Sequence, residues 1–157
     1  MMIRVLFVCL GNICRSPMAE AIFRSKVEQE GLEDKIETDS AGVGHWHIGS
    51  RPHRGTREIL TKNNIDTEGM IARQIKEDDW NEFQYLIAMD DNNINDLRAI
   101  NEVEGVIVQK LMDYVQDAPK REVPDPFFTG DFDETYALVL RGCERLLEEI
   151  KNEHNLW

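Results

Sequence analysis

Short hydrophobic runs alternate along this chain with longer segments in which apolar residues recur at helical spacing. The mostly apolar run 3–8 predicts a buried strand, bounded by Gly11. Three further runs predict strands over 36–40, 84–89 and 106–112. Segments with apolar residues on one side predict helices over 17–30, over 53–63, and from 90 or 91 to about 99. This alternation of strand and helix predicts an α/β fold with a parallel sheet.

The segment near the C-terminus has the clearest helical pattern. Its apolar residues recur every three or four positions: Tyr136, Val139, Leu140, Cys143, Leu146, Leu147 and Ile150. Residues 113–130 are rich in proline, and no element is predicted there. Because the chain has 157 residues and no linker or repeat, one domain is predicted over 1–157. We expect an open twisted sheet of four parallel strands with helices on both faces.

Composition narrows the class of protein. The 41% of hydrophobic and 31% of charged residues are typical of a globular chain. The longest apolar run, 5–10, is too short to cross a bilayer, and no secretory signal pattern is present, so no membrane partner is expected. The net charge of −12 argues against a nucleic-acid partner. Three cysteines, an odd number, do not suggest a disulfide framework, which favours a cytoplasmic location.

The strongest chemical signal is the run 8–17, Val-Cys-Leu-Gly-Asn-Ile-Cys-Arg-Ser-Pro, where the first strand gives way to a helix. Backbone N–H groups of such a turn can converge on one anion, and the helix N-terminus adds partial positive charge. The same field favours the thiolate form of Cys9, a nucleophile. Arg15, six positions later, can grip two phosphoryl oxygens with its planar guanidinium. Ser16 is predicted to cap the helix with Pro17 at its first position, and we interpret the run as a phosphoryl-transfer site.

The run Cys-Leu-Gly-Asn-Ile-Cys-Arg-Ser at 9–16 resembles the signature of the low-molecular-weight protein tyrosine phosphatases. The resemblance continues, in the family's order, through five blocks: Asp39-Ser40-Ala41, Trp46, Ala72-Arg73-Gln74, Met89-Asp90 and Asp125-Pro126-Phe127. These blocks span almost the whole chain. The resemblance implies a flavodoxin-like sheet of the phosphotyrosine phosphatase I type. It also implies hydrolysis of phosphotyrosine in proteins, or of small aryl phosphates.

A second chemical element is Asp125, which stands between two prolines. The leaving oxygen of a phosphate ester needs a proton, and a positioned carboxylic acid can supply it. A loop after the fourth strand can reach the sheet edge at which residues 9–16 lie. Spacing alone leaves a simple turn residue equally open, whereas the resemblance implies that Asp125 is the general acid.

The expected reaction has two steps. Cys9 attacks phosphorus and a phosphocysteine forms while Asp125 protonates the leaving oxygen; water, with Asp125 as base, then releases inorganic phosphate. Arg15 and the loop amides stabilise the charge on the equatorial oxygens. No metal or other cofactor is expected, because these groups supply the positive field.

The resemblance also implies roles for the rest of the loop and its supports. The phosphate-binding loop comprises, beside Cys9 and Arg15, the residues Leu10, Gly11, Asn12, Ile13, Cys14 and Ser16. Asn12 and Ser40 are expected to hold the loop in shape, with Ser16 hydrogen-bonded to the thiolate. Asp90 either braces this network or only caps a helix.

Aromatic residues are expected at the substrate side of the site. The resemblance implies that Trp46 and Phe127 form walls for a phenyl ring. The family often has two tyrosines after Asp-Pro, where this chain has Phe127 and Phe128, so control by phosphorylation of tyrosine cannot operate there. Many members have a histidine where this chain has Met70, which predicts a different completion of the hydrogen bonds around Ser40.

Other reactive side chains have simpler interpretations. Cys14 can pack inward like most free cysteines, while the resemblance favours a redox role as a resolving thiol for the nucleophile. Cys143 lies on the apolar stripe and is assigned to the core. His45, His47 and His53 lack carboxylate or thiol ligands at metal-binding spacing, so we expect solvent-facing loop residues and no metal site.

Three other functions fit the sequence less well than phosphotyrosine hydrolysis. Arsenate reductases share the loop but need extra redox cysteines, and beyond the loop this chain has only Cys143. Protein arginine phosphatases carry threonine where Ile13 stands, and an apolar side chain there suits an aryl ester better than a guanidinium. A catalytically silent phosphoprotein-binding module would need neither the nucleophile nor the acid, and both Cys9 and Asp125 are present.

Overall fold

The predicted strands form one parallel sheet in the computed structural model, which describes residues 2–157. The strands are β1 Ile3–Cys9, β2 Ile36–Gly42, β3 Tyr85–Ala88 and β4 Ile107–Lys110. The α-helices in these described residues are α1 Arg15–Gln29, α2 Arg54–Lys62, α3 Asp79–Glu82, α4 Asp91–Ile100, α5 Pro126–Thr129 and α6 Phe132–His154. The strand order is β2-β1-β3-β4, and each neighbouring pair is parallel. The predicted α/β fold with four parallel strands is confirmed.

Helices cover both faces of the sheet because the central strands are apolar on both sides. Successive side chains of β1 point to opposite faces. Val5 and Phe7 pack into a cluster with residues of α1, α2 and α6. Leu6 and Val8 pack into a second cluster with residues of α3 and α4, which includes the fully buried Leu97. Burial on both faces explains why β1 appears in the sequence as a continuous apolar run.

The apolar stripe of α6 packs where its periodicity predicts. Val139, Cys143 and Leu146 are fully buried in the cluster beneath α1. The Cys143 sulfhydryl donates to the carbonyl oxygen of Ala19 at 3.7 Å, and burial raises the pKa of this thiol. These contacts agree with the assignment of Cys143 to the core.

The start of α1 differs from the prediction. The helix begins at Arg15, two residues early, and Cys14 occupies the N-cap position without a capping side-chain hydrogen bond. The predicted cap by Ser16 is therefore wrong, because its hydroxyl bonds Cys9 and Asn12 instead. Pro17 lies in the first turn but not at its first position, which is tolerated because the first four N–H groups of a helix lack intrahelical acceptors.

Two loop predictions also need correction. The strand predicted over 106–112 ends at residue 110, and a 3₁₀ helix, Leu111–Tyr114, follows it. The segment 113–130 is not without structure, since it contains the short helix α5. The side chain of Asp125 caps α5 by accepting from the N–H of Phe127 at 3.0 Å. A four-residue helix stabilised by its cap has no hydrophobic period, so the pattern could not reveal it.

The carboxyl ends of β1, β2 and β3 meet at one edge of the sheet, where parallel strands place a ligand crevice. Within residues 2–157, no helix has the length and apolar character needed to cross a membrane.

Candidate active site

A tight loop over residues 9–16 connects β1 to α1 at this edge. Asn12 adopts a left-handed conformation with φ of +57°, which an asparagine tolerates better than most residues. Gly42, at the end of β2, lies directly against this loop. A Cβ atom at Gly42 would lie 3.0 Å from the carbonyl carbon of Gly11 and 3.1 Å from the backbone nitrogen of Asn12. The loop can therefore pack this closely on β2 only because position 42 is glycine.

The buried sulfur of Cys9 lies among three hydrogen-bonding groups. The backbone N–H groups of Asn12 and Ser16 donate to it at 3.3 and 3.4 Å, and the Ser16 hydroxyl lies at 3.0 Å. Donors converging on one atom stabilise a negative charge there more than a neutral group. The arrangement fits a thiolate at Cys9.

Asn12 limits the Ser16 hydroxyl to donating its proton to the Cys9 sulfur at 3.0 Å or to the Ala41 carbonyl at 3.5 Å. Its side-chain N–H₂ donates to the hydroxyl oxygens of Ser16 at 2.8 Å and Ser40 at 2.9 Å, while its carbonyl oxygen accepts from the N–H of Arg73 at 3.0 Å. Because the Ser16 oxygen already accepts from Asn12, its own proton is available to the sulfur of Cys9. The structure thus brings together the three residues predicted to support the nucleophile.

Glu20 completes this network and was missed from the sequence. The hydroxyl of Ser40 donates to its carboxylate at 2.6 Å, and Arg24 pairs with the same carboxylate. Burial raises the pKa of Glu20, and the hydrogen bonds from Ser40 and Arg24 oppose that shift. Met70 packs against the core and provides no polar group, so Glu20 is the residue that satisfies Ser40 here. Its spacing of four from Ser16, one helical turn, is the signal that could have indicated it.

Arg15 is buried at the foot of the site and is held by two carboxylates. Its Nη1 donates to Asp90 at 2.6 Å and to the carbonyl of Val123 at 3.0 Å, and its Nη2 donates to Asp125 at 3.4 Å. Burial opposes the charged form, but Cys9, Asp90 and Asp125 more than offset it and raise the pKa of Arg15. Its Nε is buried and has no hydrogen-bond partner among residues 2–157. The guanidinium is held in place and its Nε–H is unpaired within the described residues, so Arg15 can bind an additional anion.

The second expectation for Asp90, a helix cap, also holds. Asp90 is the N-cap of α4, and its Oδ1 accepts from the N–H of Asn93 at 2.8 Å while its Oδ2 accepts from Arg15. One oxygen of the Asp90 carboxylate therefore caps α4 while the other binds Arg15.

An apolar cavity of about 260 Å³ opens above the loop. Its lining consists of Cys9, Leu10, Gly11, Ile13, Cys14, Trp46, His47, Asp125, Phe127 and Phe128. Large aromatic side chains remain exposed at this cavity, with Trp46 64%, Phe127 52% and Phe128 75% accessible. A flat aromatic group would find apolar surface on several sides here, and Asp125 belongs to the same lining.

Two of the three loop histidines are more buried than the sequence predicted. His45 is exposed, but His47 and His53 are half-buried rather than solvent-facing. The N–H of His53 donates to the carbonyl of Ile13 at 2.7 Å, and its ring stacks on Phe132 with 5.1 Å between centroids. His53 thus ties the 9–16 loop to α2 and α6. No group of three or more metal-ligating side chains occurs in the described residues, 2–157.

A further support, also missed, lies behind the loop. The guanidinium of Arg73 makes two hydrogen bonds of 3.1 Å to the fully buried Asp79 and one of 3.2 Å to Asp39. The backbone of Arg73 accepts from the N–H of Gly42 and donates to Asn12. The ion pairs therefore fix the strand-like segment that holds the loop from below. The Ala-Arg-Gln block of the sequence includes Arg73, but it does not indicate that Asp79 is its partner.

Cys14 lies in the cavity lining and is buried. Burial, followed by the charges of Asp125 and Cys9, raises the pKa of the Cys14 thiol to about 12. Cys14 is therefore a neutral thiol near pH 7.

The chain is similar to known proteins over nearly its whole length. The family model described as low molecular weight phosphotyrosine protein phosphatase matches residues 4–156. The chain is 53% identical to the low molecular weight protein-tyrosine-phosphatase YfkJ of Bacillus subtilis over 99% of this chain and 100% of that protein. It is 41% identical to PtpA of Staphylococcus aureus over 99% of this chain and 98% of that protein.

The structures agree as closely as the sequences. The crystal structure of YfkJ superposes with a TM-score of 0.94 at 52% identity, covering 98% of this chain and 97% of that chain. The chain belongs to the family of low molecular weight phosphotyrosine protein phosphatases, which are enzymes.

Proposed function

We propose that this chain hydrolyses phosphotyrosine in proteins, and small aryl phosphates, through a phosphocysteine intermediate on Cys9. One observation carries the proposal: Cys9 and Asp125 line the same aromatic-walled cavity, and Arg15 lies within hydrogen-bond distance of Asp125. A nucleophile, an acid and a phosphate-binding cation are the three groups that the reaction needs. The residue roles below are part of this proposal.

In the first step the Cys9 sulfur forms a bond to phosphorus and the bond from phosphorus to the phenolic oxygen breaks. Asp125 gives its proton to that oxygen, so the tyrosine leaves as a neutral phenol. The donors around the sulfur support the attacking thiolate: Asn12 N–H, Ser16 N–H and the Ser16 hydroxyl.

In the second step water attacks phosphorus and the bond to sulfur breaks. Asp125, now ionised, takes the proton of the water, and inorganic phosphate leaves with the thiolate of Cys9 restored. Throughout both steps the buried Arg15, whose Nε has no partner within residues 2–157, and the loop amides face the equatorial oxygens. Preorganised donors of this kind supply the positive field for the transferring group.

The cavity wall supports an aryl ester as substrate. A phenyl ring entering the cavity meets Trp46, Phe127 and the branched apolar side chain of Ile13. The same apolar position disfavours the charged guanidinium of phosphoarginine, which would have to be desolvated there. Phosphotyrosine is therefore preferred over phosphoarginine.

The test of the mechanism is covalent trapping. Rapid-quench mass spectrometry with an aryl phosphate is expected to show an adduct of about 80 Da on the peptide that contains Cys9. Cys9→Ser should bind phosphate but neither form the adduct nor turn over, whereas Cys143→Ala, far from the cavity, should form it. Full turnover by Cys9→Ser would refute the proposed nucleophile. A protein that binds phosphotyrosine peptides without hydrolysing them would instead be a silent binding module.

Three coarser features complete the proposal. We infer that residues 1–157 act as one phosphatase domain that needs no metal, since Arg15 and the loop amides supply the positive charge. Turnover should then be unchanged by chelators. A reducing, cytoplasmic location follows from the need for a free Cys9 thiolate beside Cys14, the proposed resolving thiol.

A further inference from the structure

A second, polar cavity of about 560 Å³ adjoins the aromatic one, because Asp125 lines both. Its lining consists of Asp90, Asp91, Lys110, Lys120, Arg121, Glu122, Val123, Pro124 and Asp125. We call this cavity the polar groove. A protein substrate whose phosphotyrosine occupies the aromatic cavity has to pass its neighbouring residues over adjacent surface, and the polar groove begins at the proposed general acid.

The two lysines of the polar groove are in ion pairs, and Arg121 is not. Lys110 lies 3.0 Å from Asp91, and Lys120 lies 2.8 Å from Glu134 of α6. Arg121 is exposed, and no carboxylate among residues 2–157 lies within 4.0 Å of its guanidinium. Arg121 is therefore the uncompensated cation of the groove.

The carboxylates of the groove are engaged elsewhere. Asp90 is bound by Arg15, and Glu122 accepts from the N–H of Asp91 at 2.6 Å. Asp125 lies 3.4 Å from the Arg15 guanidinium. Glu122 has no cationic partner among residues 2–157, but its bond to Asp91 holds it at the N-terminus of α4, where the partial positive charge of the helix stabilises a carboxylate. Arg121 is the cation of the groove that can pair with an added carboxylate.

We infer that the polar groove binds an acidic side chain next to the phosphotyrosine of the substrate, with Arg121 as the specificity-determining cation. This inference rests on the proposed function. Arg121 stands four residues before Asp125, so at most about 14 Å of chain separates them. An aspartate or glutamate within about four residues of the phosphotyrosine can span that distance in an extended peptide.

Contact with Arg121 is needed because the rest of the molecule repels acidic ligands. The net charge of −12 acts on any acidic peptide, but screening limits its reach to about 8 Å at physiological ionic strength. An ion pair at contact distance is screened less and can reverse the preference locally. Acidic flanks should therefore be favoured only when they reach Arg121.

The test is a set of phosphotyrosine peptides with identical length and with glutamate, glutamine or lysine at the flanking positions on either side. For the wild-type chain at low salt, we expect kcat/KM to be about 3-fold or more higher for the glutamate peptide than for the glutamine peptide, the range of an exposed ion pair. Arg121→Glu should reverse that ratio, and Arg121→Lys should keep most of it. The preference should shrink as salt is added.

Arg98→Glu is the matched control. Arg98 is also exposed and has no carboxylate partner within residues 2–157, but it lines a different cavity, beside Val103. Arg98→Glu changes the net charge as much as Arg121→Glu does. It should nevertheless leave the ratio of kcat/KM between the glutamate and glutamine peptides unchanged. Equal kcat/KM for all flanks, a preference for lysine, or the same loss of ratio in Arg98→Glu would overturn the inference. No turnover of any peptide would refute the proposed function itself, and this inference with it.

Discussion

Single carboxylates at this site contact both a backbone N–H group and the Arg15 guanidinium. Asp90 caps α4 and binds Arg15, and Asp125 caps α5 and lies 3.4 Å from the same guanidinium. A cap fixes the orientation of a carboxyl group more firmly than a side-chain contact alone. The orientation of Asp125 toward the aromatic cavity therefore depends on the four residues of α5, and protonation of Asp125 has to compete with its bond to Phe127.

The role of Asp125 predicts a dependence on the leaving group. Asp125→Asn should lower kcat/KM, which reports the first step, by about 100-fold or more for phenyl phosphate, because an amide cannot donate the proton that phenol needs on leaving. The loss should be much smaller for p-nitrophenyl phosphate, whose leaving group is stable as an anion. A general acid gives the pH profile of kcat/KM a falling limb on the basic side, and that limb should flatten in the variant.

Asp117→Asn provides the control for Asp125→Asn. Asp117 is exposed on the same loop and lines a cavity remote from the aromatic one. It should leave both rates unchanged. Equal losses for the two substrates in Asp125→Asn would remove Asp125 as the general acid.

The raised pKa of Cys14 predicts how oxidation depends on pH. Once peroxide has oxidised Cys9, the Cys14 thiolate can attack it and form a disulfide, whereas slow attack leaves time for irreversible over-oxidation. With a pKa of about 12, the thiolate fraction of Cys14 rises about tenfold per pH unit through neutral pH. The ratio of Cys9–Cys14 disulfide to over-oxidised Cys9 should therefore increase from pH 6 to pH 8.

Non-reducing peptide mapping after brief peroxide treatment measures that ratio. Cys143→Ala should give the same ratios as the unmodified chain, because Cys143 is in the core. A ratio that does not change with pH, or a disulfide that includes Cys143, would contradict the role of Cys14.

At the scale of elements, the Glu20 carboxylate on α1 supports the loop through Ser40, but burying its charge lowers the stability of the fold. Burial raises the pKa of Glu20, so its ionised form is disfavoured in the fold. Its contribution to stability is fully present below the ordinary value of 4.5 and is lost as pH rises through the raised pKa. Glu20→Gln keeps an acceptor for Ser40 and never ionises. The stability of Glu20→Gln relative to the unmodified chain should therefore be higher at pH 7 than at pH 4.

Urea unfolding at the two pH values measures this difference. Glu149→Gln, an exposed change on α6, should show no comparable pH dependence. A difference between the Glu20→Gln and unmodified chains that is the same at pH 4 and pH 7 would show that Glu20 is not disfavoured as an anion.

Elements with a strong local signal were predictable, and elements that depend on distant partners were not. The strand β1 and the stripe of α6 follow directly from apolar patterning, and the loop from its motif. The helices α3 and α5 have four residues each and therefore no period to read. The partners of Asn12 include Arg73, 61 positions away, and those of Arg15 include Val123, 108 positions away. Contacts at such separations exist only once the sheet has formed.

At the scale of the whole molecule, an anion site coexists with a net charge of −12. The positive charge that matters is concentrated in the buried Arg15 and in amides that the fold orients inward. Most of the acidic residues lie at the surface, where solvent and salt screen them. The fold thereby separates a repulsive exterior from a short-range attractive site, which restricts binding to groups that reach the bottom of the cavity.

The packing of α6 on the rest of the molecule gives the last prediction. Gly142 lies on the buried face of α6, and a Cβ there would overlap the side chain of Leu111 in the 3₁₀ helix. Alanine in a helix interior normally adds about 0.5–1 kcal/mol of stability over glycine. Here the overlap, which costs about 1–3 kcal/mol in a packed core, should reverse the sign. We expect Gly142→Ala to lower Tm by about 2–8 °C in thermal unfolding. The neighbouring Arg141→Ala, an exposed change, should shift Tm little, and a Gly142→Ala chain more stable than the unmodified one would refute the tight contact between α6 and Leu111.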